Sequence, residues 1–106
     1  MHTIYKTYKF KGMMFNERIK QLREERQMPQ RKLAAAMDID TASYCKMEKG
    51  ERRARKEHIT IIADLLQTDY EELLKLWLVD RVTAVVADDK ELSNEVLKMA
   101  KEKINE

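Results

Sequence analysis

From Phe15 onward, apolar side chains recur at intervals of three and four. Phe15, Ile19 and Leu22 form a first helical stripe, and Arg18, Lys20, Arg23, Glu24, Glu25 and Arg26 occupy the other faces. Gln27-Met28-Pro29 interrupts it, because proline cannot continue a helix but suits the start of one. A second helix therefore begins near Pro29 and runs to about Met37, with Leu33, Ala34 and Met37 on one face. The polar corner Asp38-Ile39-Asp40 follows. Asp38 stands where the backbone must turn left-handed, and Asp40 is the expected N-cap of a third helix, Thr41 to about Lys49. Tyr44 and Met47 share the inner face of that helix, and Gly50 is the signal for its end. Helices this short cannot stand alone, since nucleation costs more than one or two turns return. The pattern requires them to pack on each other and on their neighbours.

Further on, Ile59, Ile62, Ala63 and Leu66 place a fourth helix over about Lys56–Leu66, and Asp69 caps a fifth and longer one. The apolar residues of the fifth, Leu73, Leu74, Leu76, Trp77, Leu78, Val82, Val85 and Val86, cover more than one stripe, which predicts burial on two sides. Asp88-Asp89 breaks the pattern, and Leu92, Val96, Leu97, Met99, Ala100 and Ile104 define a last amphipathic helix. The fold class is all-α. Residues 1–14 stand apart, with Lys6, Lys9 and Lys11, no acid, and several β-formers. They read as a basic arm or tail: a disordered or start-site extension, an arm along a polyanion, or a short edge strand. Residues 15–79 form the expected main domain, and residues 80–106 a C-terminal helical extension.

Composition narrows the picture. Charged residues make up 38% of the 106, with two glycines and one proline, which suits a small helical protein rather than a sandwich or barrel. No apolar run approaches the ~20 residues that span a bilayer, so no membrane association is expected. The single cysteine cannot form an internal disulfide, in keeping with a reducing, cytoplasmic setting. The net charge of +2 conceals an asymmetry: residues 1–63 carry 15 basic and 8 acidic side chains, residues 64–106 carry 6 and 11. A basic front and an acidic rear suit a protein of which one part meets a polyanion.

Pro29-Gln30 through Met37, the corner, and Ile39-Asp40 through Met47-Glu48-Lys49-Gly50 have the order and spacing of a helix-turn-helix unit. With FNERIKQLREER before them and ITIIADLL and DYEELL after, the chain resembles the lambda-repressor-like (Cro/repressor-type) DNA-binding family over roughly residues 15–76. LWLVDRV, the charged break and the final helix resemble the restriction-modification controller branch. The resemblance implies a five-helix DNA-binding domain with an additional C-terminal helix. It implies that Gln30 and Ser43 meet DNA phosphate, and that Thr41, Ala42, Cys45 and Lys46 read bases. The chain departs from the family pattern in having Pro29 in place of a Thr or Ser cap, Asp38 in place of a corner glycine, and Tyr44 in place of a small β-branched residue.

Arg52, Arg53, Arg55 and Lys56 follow the recognition helix directly, and Lys46 and Lys49 lie on or just beyond it. Six cations stand against three acids over residues 41–58, so Lys49, Arg52, Arg53 and Arg55 are expected phosphate contacts rather than a merely solvated loop. Cys45 is read as a small groove-facing residue, since no second cysteine can resolve an oxidised form. His2 and His58 are too few and too isolated for a metal site, and no catalytic constellation stands out, so neither enzyme activity nor a cofactor is expected. Leu76, Trp77, Val82, Val85 and Val86 exceed what a small bundle can cover and are expected to meet another subunit in a homodimer interface or, for some of them, the last helix of the same chain, residues 89–104. A two-fold dimer regulating transcription at a palindromic operator, most simply as a repressor, is the leading expectation. An antitoxin or interaction module that binds a protein partner through the C-terminal helices is the alternative.

Overall fold

A computed structural model describes residues 14–106, and the arm reading of the preceding residues lies outside them. Met14, counted above with the arm, opens the first helix. Among the described residues the elements are α1 (Met14–Glu25), α2 (Gln30–Ala36), α3 (Thr41–Glu48), α4 (Lys56–Leu66), α5 (Tyr70–Val86) and α6 (Lys90–Ile104), with no strand. α2 packs on α3, α1 and α4 both pack on α5, and contacts of α1 with α3 and of α2 with α4 close the bundle. α6 packs on the end of α5.

The first five helices share one core. Ile19, Leu33, Tyr44, Met47, Ile59, Ile62, Leu66 and Leu73 are fully buried in it. Each large apolar side chain removed from water in this way stabilises the fold by about 1.5–3 kcal/mol, which is how helices of seven and eight residues persist. Two polar ties reinforce the packing of α1 on α5. Arg18 Nε donates to Glu72 Oε2 at 3.0 Å. The buried Asp80 carboxylate accepts the N–H groups of Met14 and Phe15, each at 2.9 Å, and so caps α1 from a distant helix.

Four helices end by the same device. Met28, Ile39, Glu51 and Thr68 donate their N–H groups back to the carbonyls of Arg23, Ala34, Lys46 and Ala63. The residue before each donor is left-handed: Gln27 (φ 52°), Asp38 (59°), Gly50 (80°) and Gln67 (52°). Only one of these is glycine. A Cβ in that region costs about 1–2 kcal/mol, which the recovered carbonyl bonds offset.

α5 differs from its expected two-sided burial. Leu73, Leu76, Trp77 and Asp80 are buried, but Leu78, Val79, Val82 and Val85 are exposed. Of the residues expected at a dimer interface, Leu76 and Trp77 are buried in the core of their own chain, whereas Val82 and Val85 are exposed and Val86 is half-buried. α6 buries none of its residues. α5 also runs unbroken across residues 79 and 80, so main domain and extension meet within one helix.

Replacing Gln67, which is exposed, by glycine relieves its left-handed strain. Gln67→Gly is expected to raise stability by about 0.5–1 kcal/mol, read as a higher urea midpoint at unchanged slope. An unchanged or lower midpoint contradicts the strain assigned to this turn.

Candidate nucleic-acid interface

α3 separates its residues cleanly. Tyr44, Met47 and Glu48 face inward, whereas Thr41, Ala42 and Lys46 are exposed and Cys45 and Ser43 half-buried. Positions i, i+1, i+4 and i+5 lie on one side of a helix, so the expected base readers share a single outward surface. The corner sets its start. Asp38 is left-handed, as its place in the corner requires. The Asp40 side chain accepts the Ser43 N–H at 2.7 Å as an N-cap. That bond and the Ser43 hydroxyl hold the Asp40 carboxyl below the usual carboxylate range, with Arg52 and Lys46 nearby adding to the effect.

A buried ion pair sets the orientation of α3. Arg23 Nε and Nη2 donate to the two carboxylate oxygens of Glu48 at 2.6 and 3.1 Å, and Arg23 Nη1 donates to the Met28 carbonyl at 2.9 Å. The Glu48 side chain is 3% exposed. Burial works to raise its pKa, but the bonds from Arg23 and Gln30, with the Tyr44 hydroxyl nearby, outweigh it and hold it below its ordinary value. The same surroundings, burial first and the Glu48 charge after it, push the Tyr44 hydroxyl well up. Asn16 Nδ2 donates to the Glu48 carbonyl at 2.7 Å, a second tie from α1. Spacing alone does not reveal these partners. Glu48 was legible only as part of the family-like ending Glu48-x-Gly50, and Arg23 only as a polar face residue.

Gln30 is also placed by Glu48. Its Nε2 donates to Glu48 Oε1 at 3.0 Å, and its Oε1 accepts from the Cys45 thiol at 2.9 Å. The amide carries two N–H donors, and Glu48 takes one of them. The Cys45 hydrogen is turned toward α2 and not outward.

Beyond α3, Lys49, Arg52, Arg53 and Arg55 are exposed, whereas Ala54 between them is buried. Arg55 reaches Glu57 at 3.8 Å across solvent, an exposed pair of little energetic weight. The Arg52 and Arg53 side chains have no hydrogen-bond acceptor among the described residues. His58 Nδ1 accepts the Arg55 N–H at 3.4 Å and helps start α4. Burial lowers its pKa, as do the arginines beside it, which favours the neutral ring that this acceptor role needs. The ten expected DNA-contacting residues thus lie on the exposed or half-buried side of α2, α3 and the loop after it.

A short pair of helices joined at a left-handed corner, the second exposed and followed by unpaired arginines, defines a DNA-binding helix-turn-helix module. A helix-turn-helix family model matches residues 19–73, about half of the chain, which therefore belongs to this lambda-repressor-like family of DNA-binding regulators. No curated protein and no solved structure matches it. Among the described residues no group of His, Cys, Asp and Glu is arranged to hold a metal ion, and no helix is long and apolar enough to cross a membrane.

Removing one partner of a buried pair leaves the other charge unpaired. Glu48→Ala is expected to cost about 3–5 kcal/mol, and the double variant Arg23→Met/Glu48→Leu clearly less, both measured by urea unfolding. Additive losses from the two positions contradict the pairing.

Proposed function

We propose that this regulator acts in the cytoplasm as a homodimeric repressor, each subunit laying α3 into the major groove of one half of a palindromic operator. The observation that carries the reading is the exposed outer face of α3, fixed by Glu48 beneath and flanked by cations beyond. Lys46 donates to guanine O6 or N7, Thr41 offers a hydroxyl and a methyl, and Ala42 and Cys45 offer small contacts to a thymine methyl. Gln30, Ser43, Lys49, Arg52, Arg53 and Arg55 set affinity and register on the phosphates. With so few bidentate readers, part of the specificity comes from DNA shape. Repression follows from occupying promoter DNA that polymerase needs.

The dimer rests on α5. Val82 and Val85 are exposed there and Val86 is half-buried. Half-sites one turn of DNA apart require such a dimer to hold its two recognition helices about 34 Å apart. A second reading draws on α6, which is amphipathic yet buries no residue: the C-terminal helices hold a different protein, as in an antitoxin.

Selection of bound DNA from a random pool is expected to return an inverted repeat for the full chain. Lys46→Ala is expected to relax one position of each half-site by ~1–3 kcal/mol. Identical selected motifs for the two proteins remove Lys46 from base readout. In sedimentation, the chain alone is expected to be a dimer at micromolar concentration and Val82→Asp/Val85→Asp a monomer. A native monomer favours the partner-binding reading instead.

A further inference from the structure

Trp77, the one tryptophan of the chain, takes no part in the DNA contacts above. It lies on α5 at 7% exposure, and its indole N–H donates to the Ala54 carbonyl at 2.9 Å. Ala54 is the buried midpoint of the arginine loop, so this bond anchors the loop while Arg52, Arg53 and Arg55 face outward. Over the indole face sits the Arg81 guanidinium, 4.8 Å from the ring centroid. The ring quadrupole attracts the cation, and this contact occupies no hydrogen-bond acceptor of the chain. The Arg81 guanidinium has no hydrogen bond or ion pair among the described residues, and the carboxylate of its neighbour Asp80 accepts the N–H groups of α1.

Arg81 is the single arginine of residues 64–106, within the acidic rear of the chain. In space it joins the basic front. Arg52, Arg53 and Arg81 line one crevice, with the buried Asp80 carboxylate among them and an apolar wall that includes Phe15 and Trp77, and Arg53 and Arg81 share a second one. The space inside the first is about 20 Å³, room for roughly one water molecule. That excludes a metabolite and leaves the cationic rim to be explained. The three guanidinium groups of this rim outnumber its one carboxylate, Asp80, which is buried and already accepts two N–H groups of α1, so the rim keeps a positive charge that attracts an anion.

We propose that Arg81 is a DNA-backbone contact and Trp77 the positioning residue that aligns it with Arg52 and Arg53, so that α5 and the α3–α4 loop grip one stretch of phosphates. The proposal rests on the DNA-binding reading of α3, and its test separates the two. Affinity of the full chain for its selected operator and for scrambled DNA is measured over a series of salt concentrations. Arg81→Ala is expected to weaken both to a similar extent and to flatten the slope of log K against log salt by about 1, leaving the selected motif unchanged. Arg52→Ala, tested alongside, gauges the underlying reading. A flattened slope for Arg52→Ala with a native slope for Arg81→Ala overturns this proposal alone, whereas a native chain without salt-dependent DNA binding overturns both. Trp77→Phe keeps a ring under Arg81 and removes the N–H. It is expected to lose about two- to tenfold in affinity at unchanged sequence preference, and native affinity in a variant with native circular dichroism overturns the positioning role. Independently of that variant, Trp77 emission in the native chain is expected to change on operator titration with the midpoint of binding. Flat emission overturns the placement of Trp77 beneath the phosphate-gripping loop.

Discussion

The arrangement of the DNA-facing surface depends on one buried carboxylate. Glu48 closes the inner end of α3 and meets Arg23 of α1 through two bonds and Gln30 of α2 through a third. Moving an ionised group out of water costs several kcal/mol, which only well-formed partners recover. The gain lies less in stability than in uniqueness. If α3 rotated or slid by one residue, a buried charge would lose its partners. The outer face is thereby held in register by bonds on the opposite side of the same helix, at no cost in exposed side chains.

The chain divides its labour between its ends. The basic front is rigid where it faces outward, because the corner, the Asp40 cap and the Glu48 network each fix one part of α3. The rear carries apolar surface without a cover in the single chain, on Val82 and Val85 of α5 and along α6. Trp77 lies at the boundary, where the loop following α3 and the exposed half of α5 meet. Association through the rear would set the spacing of two recognition helices through the same helix, α5, that supports the arginine loop.

Features with a local cause could be read from the sequence. Asp38 at the corner, Asp40 as N-cap, Gly50 at the helix end and the span of α4 all follow from one or two neighbouring residues, and the structure has each of them. The left-handed Gln27 and Gln67 were not legible, because glutamine carries no turn signal and only the following backbone bonds reveal the need. Pairings between distant residues were equally hidden. Arg23 with Glu48, Asp80 with the start of α1, and Trp77 with Ala54 join positions that periodicity treats as unrelated. α5 shows the converse error. Its apolar count suggested burial on two sides, but the count does not say whether the cover comes from the same chain, and beyond Asp80 a single chain does not supply it.

The central claim is that DNA meets the outer face of α3 and the loop that follows it. Titration of the isotope-labelled chain with its selected operator, followed by amide NMR shifts, tests this most directly. The largest shifts are expected on residues 41–46 and 49–55, with those of α6 small. Shifts concentrated in α6 with α3 unperturbed would contradict it.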